Sequence, residues 1–156
     1  HTNDAATAIP RLLDMKIEPF LFSSTVNLII AQRLVRKICD SCKVSFTQKP
    51  SELLKHFTKE EVKKHFGTGS EIRMYHGKGC PVCHETGYVG RIGIFETLDV
   101  SDGIQKLINQ KADSGVVKNT AISEGMVTML DDGLEKVLMG TTTIEEVLRA
   151  TKVEKL

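Results

Sequence analysis

Four cysteines carry the clearest chemistry in this sequence. They fall as two Cys-x-x-Cys pairs, Cys39-Asp40-Ser41-Cys42 and Cys80-Pro81-Val82-Cys83. Such a loop can turn two thiolates toward one point, and two loops complete a tetrahedron of sulfurs around one metal ion. That donor set points to zinc. With four thiolates there is no open position for water, so the ion would be structural and not catalytic. The pairs are 37 residues apart, beyond the usual ~15–20, which makes the intervening helices an insertion between two knuckles. Gly77, Gly79 and Gly87 bracket the second pair, where a knuckle needs unusual backbone angles. Lys37, Lys43 and Lys78 lie close in sequence and would offset the thiolate charge. Two other readings use the same residues. One is a set of buried free cysteines and the other a redox Cys-x-x-Cys. His76 and His84 flank the second pair and are alternative ligands.

The bulk composition limits what such a site can serve. The chain has 156 residues, 40% of them hydrophobic and 5% aromatic with no Trp, so its core is mostly aliphatic. That is one ordinary domain, or a small domain with part of another. The 21 basic and 20 acidic residues leave a net charge of +1. No global field favours nucleic acid or an anionic membrane, and the basic residues do not cluster with aromatics. No apolar run approaches the ~20 residues of a membrane span. Residue 1 is not a start methionine, which suggests a piece of something longer. Cysteines used in pairs suit a reducing compartment, hence the cytosol.

The elements that must position the cysteines are mostly helical. Residues 3–16 read as an amphipathic helix through Ala5, Ala8, Ile9, Leu12 and Leu13, capped by Thr2 or Asn3. Pro19 interrupts. Residues 24–38 read as a second helix carrying Val26, Leu28, Ile29, Ile30, Leu34 and Ile38, with Ser23 or Ser24 as cap. Arg33, Arg36 and Lys37 would then sit in its last turns, where cations suit the macrodipole. One or two polar helices come next, over 51–66, with Thr58 and Glu61 as a capping box. Residues 71–76 alternate like a short strand, and 88–98 read as a strand or hairpin. Beyond Ser101 the pattern is helical. Its helices are marked by Ile104, Leu107 and Ile108, by Val116, Val117 and Ala121, and by Met126 to Leu138 with a stop at Gly140. A last helix has Thr143 and Glu146 as its capping box. The tail KVEKL reads as frayed.

Several stretches together resemble one family. His1-Thr2-Asn3-Asp4-Ala5 resembles the histidine box of secretion ATPases. RLLDMKIEPF (11–20) and AQRLVRKIC (31–39) resemble the segments that come after that box. GCPVCHETGYVGRIGIFETL (79–98) resembles the family's second zinc knuckle and the strand after it. EGMVTMLDDGLEKVLMGTTTIEEVLRAT (124–151) resembles its C-terminal helices. The family is the assembly ATPases of type II secretion and type IV pili. The resemblance runs through essentially the whole chain, in the family's order.

This resemblance implies an α+β fragment of three parts. Residues 1–38 would be the C-terminal end of a RecA-like P-loop ATPase core, 39–98 a tetracysteine zinc-binding subdomain, and 99–156 a C-terminal helical subdomain. The parent is implied to be a hexamer that uses ATP and magnesium to drive pilus or pseudopilus assembly. It would be cytoplasmic, held at the inner membrane by proteins of the machine, with neighbouring ATPase subunits as partners and no nucleic acid. His1 is implied to sense the γ-phosphate, in the parent only; a leading histidine left by a purification tag is the other reading. The family's GxxxxGK[ST] loop is absent here: Gly77-Lys78 is followed by Gly79, where the pattern needs Ser or Thr. The fragment alone is therefore expected to be inactive. A different class is a free-standing zinc module for protein or nucleic-acid interaction. Arg33 and Arg36 suit either a subunit or phosphate contact or a solvated helix end. Met126, Met129 and Met139 read as core, and Arg91 as an exposed contact residue.

Overall fold

A computed structural model describes residues 2–151 of the chain. In order these form helices α1 (Ala8–Asp14) and α2 (Pro19–Thr25), strands β1 (Leu28–Ile38) and β2 (Lys43–Gln48), and helices α3 (Pro50–Leu53) and α4 (Lys59–Phe66). Strands β3 (Ile72–Gly77) and β4 (Tyr88–Asp99) come next. Four helices complete the described chain: α5 (Asp102–Asn109), α6 (Ser114–Ser123), α7 (Met129–Leu138) and α8 (Ile144–Thr151). The class is α+β, as expected. The strands make two two-stranded sheets, β1 with β4 and β2 with β3. Among the described residues no helix is long and apolar enough to cross a membrane. The tail KVEKL, read as frayed, lies outside the described residues.

The expected helix over 24–38 is corrected. Its C-terminal part is the strand β1, and α2 begins at Pro19, which occupies the first helical turn, where a missing N–H costs nothing. From Leu28 to Val35 exposed residues of β1 alternate with half-buried or buried ones, and both Val35 and Ile38 are buried near its end. Its apolar residues are rich in Ile and Val, which fit a pleated surface. Asn27 accepts from the Val100 N–H at one end and Gly87 accepts from the Cys39 N–H at the other, so β1 and β4 run antiparallel. The cationic helix end expected at Arg33, Arg36 and Lys37 therefore does not exist. Nor do Ser23 or Ser24 cap a helix. Ser23 lies inside α2, its hydroxyl on the Phe20 carbonyl and Asn109.

The chain divides into two compact units, each discontinuous in sequence. The first takes the residues up to Arg33 and Ile94–Asp132. Its core is a cluster of Ala5, Ala6, Ile9, Phe22, Leu98, Val100, Ile104, Ile108, Val117 and Ala121. The first helical turn is at Ala8, later than expected. Before it, Asp4 and Thr7 bond each other reciprocally, the Thr7 N–H donating to Asp4 Oδ1 at 2.9 Å and the Asp4 N–H to Thr7 Oγ1 at 3.4 Å. Thr2 and Asn3 are thus not the cap. Helices α5 and α6 start on side-chain caps, Ser101 Oγ accepting from the Ile104 N–H and Asp113 Oδ1 from the Gly115 N–H.

The second unit takes Leu34–Gly93 and the chain from Gly133. Leu53, Phe57, Val62, Ile72, Met74, Leu134, Val137, Val147 and Leu148 are buried in it. Strands β2 and β3 pair antiparallel from Lys43↔Gly77 to Gln48↔Ile72. The expected capping box on α4 is present: Glu61 N–H donates to the Thr58 hydroxyl and the Glu61 carboxylate accepts from the Thr58 N–H. Gly140 terminates α7 at φ +70, with its N–H on the Val137 carbonyl. A Cβ there would lie 2.8 Å from the Tyr75 ring.

Candidate metal centre

The first knuckle forms where β1 ends. Cys39 donates its N–H to the Gly87 carbonyl at 2.9 Å, and a tight turn through Asp40 and Ser41 lets Cys42 N–H reach the Cys39 carbonyl at 3.3 Å. The second forms after β3. A 3-10 turn at Pro81–Cys83 is followed by His84 and Glu85 in the left-handed region, at φ 51 and 61. Two residues of positive φ in succession reverse the chain. The N–H groups of Cys83 and Glu85 both bond the Cys80 carbonyl.

The β2–β3 hairpin brings the two knuckles together. Strand β2 starts directly after Cys42 and β3 ends three residues before Cys80, so their antiparallel register returns the chain to its starting point. The expected insertion of helices is present as α3 and α4, but it hangs from the far end of this hairpin. The Lys78 N–H completes the link on the Cys42 carbonyl at 3.1 Å. Glycine is required at the seam. A Cβ on Gly77 would stand 2.1 Å from the Gly87 carbonyl oxygen, a contact no side chain can make.

All four Sγ atoms lie within 4.8 Å of one another. Cys39 and Cys80 sulfurs are 3.9 Å apart, Cys42 and Cys83 3.8 Å, and Cys80 and Cys83 3.6 Å. A disulfide needs ~2.05 Å, so none of these is one. Zn–S bonds of ~2.3 Å in a tetrahedron put sulfurs ~3.8 Å apart. The donor set therefore fits one ion of that kind, and the four cysteines lie close enough to hold it. Backbone donors converge on the same point. The N–H groups of Cys80 and Gly87 reach Cys83 Sγ at 3.2 and 3.3 Å, a pattern that stabilises thiolate. Desolvation would raise Cys83, but these two N–H groups and the neighbouring thiols outweigh it and bring it down to about 6. Desolvation and the other three thiols push Cys42 up to about 12 against one N–H from Gly79. Thiolates crowded this closely cannot all ionise without a cation among them.

The second unit braces the knuckles with one buried carboxylate. Glu146 is 2% exposed. It accepts from the Arg36 N–H at 3.0 Å, from Arg36 Nη2 at 2.6 Å and from Arg149 Nη2 at 2.7 Å. Burial alone would raise its pKa, but these donors hold it below the ordinary value. The Arg36 guanidinium also lies 4.2 Å over the Tyr88 ring. Thr142 Oγ1 donates to the Arg36 carbonyl and the Ile38 N–H to the Thr141 carbonyl, so the loop before α8 locks the end of β1 beside Cys39. This is a correction to the expected capping box at Thr143 and Glu146. The Glu146 oxygens go to arginines and Thr143 Oγ1 meets the Tyr88 hydroxyl at 3.0 Å.

The other residues singled out along the chain are dispersed. His76 and His84 are exposed and stand outside the four-sulfur group; the His76 ring meets Phe46 edge-on at 5.2 Å. Lys43 is engaged by Asp40 at 3.4 Å and the Gly140 carbonyl at 3.3 Å. Arg33 donates to the Thr2 carbonyl at 3.1 Å, and Arg91 is exposed. Met129 is buried and Met126 packs on the first core, but Met139 is 65% exposed and is not core. His1 lies outside the described residues. Sequence reasoning missed Glu96, a strand carboxylate that is 1% exposed; its even place in the alternation Ile94, Glu96, Leu98 was the available signal.

The family model of type II/IV secretion system proteins matches residues 1–149. Among curated relatives, the chain is 42% identical over 154 residues to the type IV pilus assembly ATPase PilB of Thermus thermophilus, covering 97% of this chain and 16% of that protein. It is 41% identical over 152 residues to the type II secretion system ATPase E of Vibrio cholerae, covering 97% and 28%. A 37% match over 155 residues to PilB of Myxococcus xanthus covers 99% and 26%. The chain thus spans between about a sixth and under a third of the relatives it matches. With a family model matched along nearly its whole length, this chain belongs to the type II/IV secretion system proteins.

Proposed function

We propose that this chain is the C-terminal part of a hexameric ATPase that powers pilus or pseudopilus assembly, or type II secretion. The observation that carries the reading is the near-complete match of this chain to a minor share of proteins named as such ATPases. Residues 1–38 would end a RecA-like core, 39–98 would be the zinc-bearing subdomain and 99–156 the helical one. Cys39, Cys42, Cys80 and Cys83 would hold structural zinc, which fastens two backbone knuckles and takes no part in hydrolysis. His1 would stand near the γ-phosphate of ATP, with magnesium held by residues outside this chain. The assembly would work in the cytoplasm, bound to inner-membrane proteins of the machine.

The absence of a GxxxxGK[ST] loop from the sequence supports placing the phosphate cradle elsewhere in the parent, since that loop supplies its N–H groups and lysine. One neutral hydrogen bond from His1 is worth ~1 kcal/mol, far from the ~8 kcal/mol of micromolar binding. Steady-state ATP hydrolysis is the test, run on the 156-residue chain, on the full-length protein and on its His1→Ala variant. The expected result is no turnover by the chain, turnover by the full-length protein, and a lowered kcat at similar KM in the variant. Magnesium-dependent turnover by the chain alone, or an inactive full-length protein, would overturn the reading.

A further inference from the structure

Glu96 spends its two oxygens on two distant segments. Oε1 accepts from the Ala5 N–H at 3.0 Å and Oε2 from the Met129 N–H at 3.2 Å, and both bonds are buried. A carboxylate is costly to bury unless both oxygens are satisfied, and an apolar residue would fill a strand position in a core more simply. What the carboxylate supplies is a pair of acceptors in one rigid group. Met129 opens α7, where the first N–H groups have no partner within the helix. Ala5 lies in the turn before α1.

The same short segment is gripped twice more. Lys118 Nζ meets Asp4 Oδ2 at 2.7 Å, and Arg33 Nη2 meets the Thr2 carbonyl at 3.1 Å. Thr2, Asp4 and Ala5 are thus held by side chains from β1, α6 and β4. Ala5, Ala6 and Ile9 already seat this stretch in the core, so burial alone does not call for three further polar ties. They fix the segment's orientation, which burial of small apolar groups leaves loose.

We propose that Glu96 is a positioning residue. Supported by Lys118 and Arg33, it sets the Thr2–Ala5 backbone, which His1 adjoins in sequence, in register with the start of α7. The role rests on the proposed meeting of His1 with the nucleotide. One carboxylate serves both segments, so a shift at Met129 is passed to Ala5 without any intervening packing. The N-terminal end of α7 then reports to the nucleotide site, or is moved by it.

Glu96→Gln is the sharpest probe. Glutamine keeps one acceptor and turns an NH2 donor toward the other N–H. In the full-length protein, hydrogen exchange should speed up by about tenfold or more at Ala5 and Met129, with Ile108 and Val117 still protected. The kcat should fall by about tenfold or more with KM for ATP within about twofold, since small misplacements of a reacting group are costly. Glu96→Gln added to His1→Ala should lower kcat no further than His1→Ala alone. Lys118→Met, at a partly exposed site, should give the same pattern at about threefold. Unchanged exchange at Ala5, or losses that multiply in the double variant, would overturn the positioning role. An unchanged kcat in His1→Ala would instead overturn the nucleotide reading, and with it the aim of the clasp. The exchange result would still say whether the clasp exists.

Discussion

The unit built from the residues before Leu34 and from Ile94–Asp132 rests on a continuous cluster of ten buried apolar residues, drawn from α1, α2, β4, α5 and α6, the turn before α1 and the link between β4 and α5. The unit built from Leu34–Gly93 and the chain after Gly133 also has an apolar core, with Leu53, Phe57, Met74, Leu134 and Val147 among its buried residues. What sets it apart is the sulfur cluster: its turns and hairpin are tied by backbone bonds around Cys39, Cys42, Cys80 and Cys83, with the buried Glu146 carboxylate bracing the end of β1. An apolar cluster is nondirectional and tolerant, so its stability is spread over many contacts. Four thiols and one carboxylate are directional, so a single substitution should reach much further. The contrast locates the weak point of each unit, and three measurements put it to the test.

The largest effect is expected from Cys80→Ser or from removal of metal with a chelator. Structural zinc sites contribute on the order of 10 kcal/mol of folding free energy. Exchange protection should collapse through the knuckles and the β2–β3 hairpin, while the amides of Ile104, Ile108 and Val117 stay protected. Elemental analysis should find one zinc per chain in the wild type and none in the variant. Uniform loss of protection across both units would erase the difference between them.

Glu146→Ala should come next. It leaves the Arg36 N–H without its acceptor and Arg36 and Arg149 without their counter-charge. Arg36 is 45% exposed, so water recovers part of the loss. We expect about 2–4 kcal/mol, below the full cost of breaking a buried pair, read by denaturant unfolding at constant zinc. The same carboxylate sets the acid limb. Its folded pKa is depressed from 4.5, so its contribution is complete above the unfolded pKa. That contribution is lost as pH falls through the lower folded value. Asp4, depressed from 3.8, behaves likewise in the first unit: burial would raise it, but Lys118 and Thr7 lower it. Glu146→Gln should flatten the acid-induced loss of stability in the second unit only, and Asp4→Asn in the first only. If either variant leaves the pH profile unchanged, the depressed carboxylate is not the cause.

The smallest effect belongs to Thr58→Ala. Removing the cap from α4 should cost ~1 kcal/mol and speed exchange only at the start of that helix, at the far end of the hairpin from the sulfurs. Altered zinc content in this variant would show that the helical insertion helps to hold the knuckles, and that the second unit is more cooperative than its architecture suggests.

Much of this was readable along the chain. The two Cys-x-x-Cys loops, the box at Thr58 and Glu61, the alternating strand ending at Gly77 and the stop at Gly140 are all local. Each depends on residues within a few positions of one another, and their types alone carry the signal. Other features were not readable. The run Leu28–Ile38 places apolar residues at spacings that suit either a helix or a strand. It becomes β1 because β4, far along the chain, offers a ladder for it. Strand β2 has the same origin: Lys43–Gln48 is mostly exposed and exists because β3 pairs with it. Glu146 reads in the sequence as a capping residue, and Glu96 is not singled out there. Their burial comes from N–H groups and guanidinium groups that only the folded chain brings to them, from Arg36 in one case and from Ala5 and Met129 in the other. The donor set and the local turns were written in residue order, because the covalent chain holds those atoms near one another in any conformation. Strand pairing and the burial of carboxylates were settled only on folding, because those choices depend on partners that stay far apart until the chain has folded.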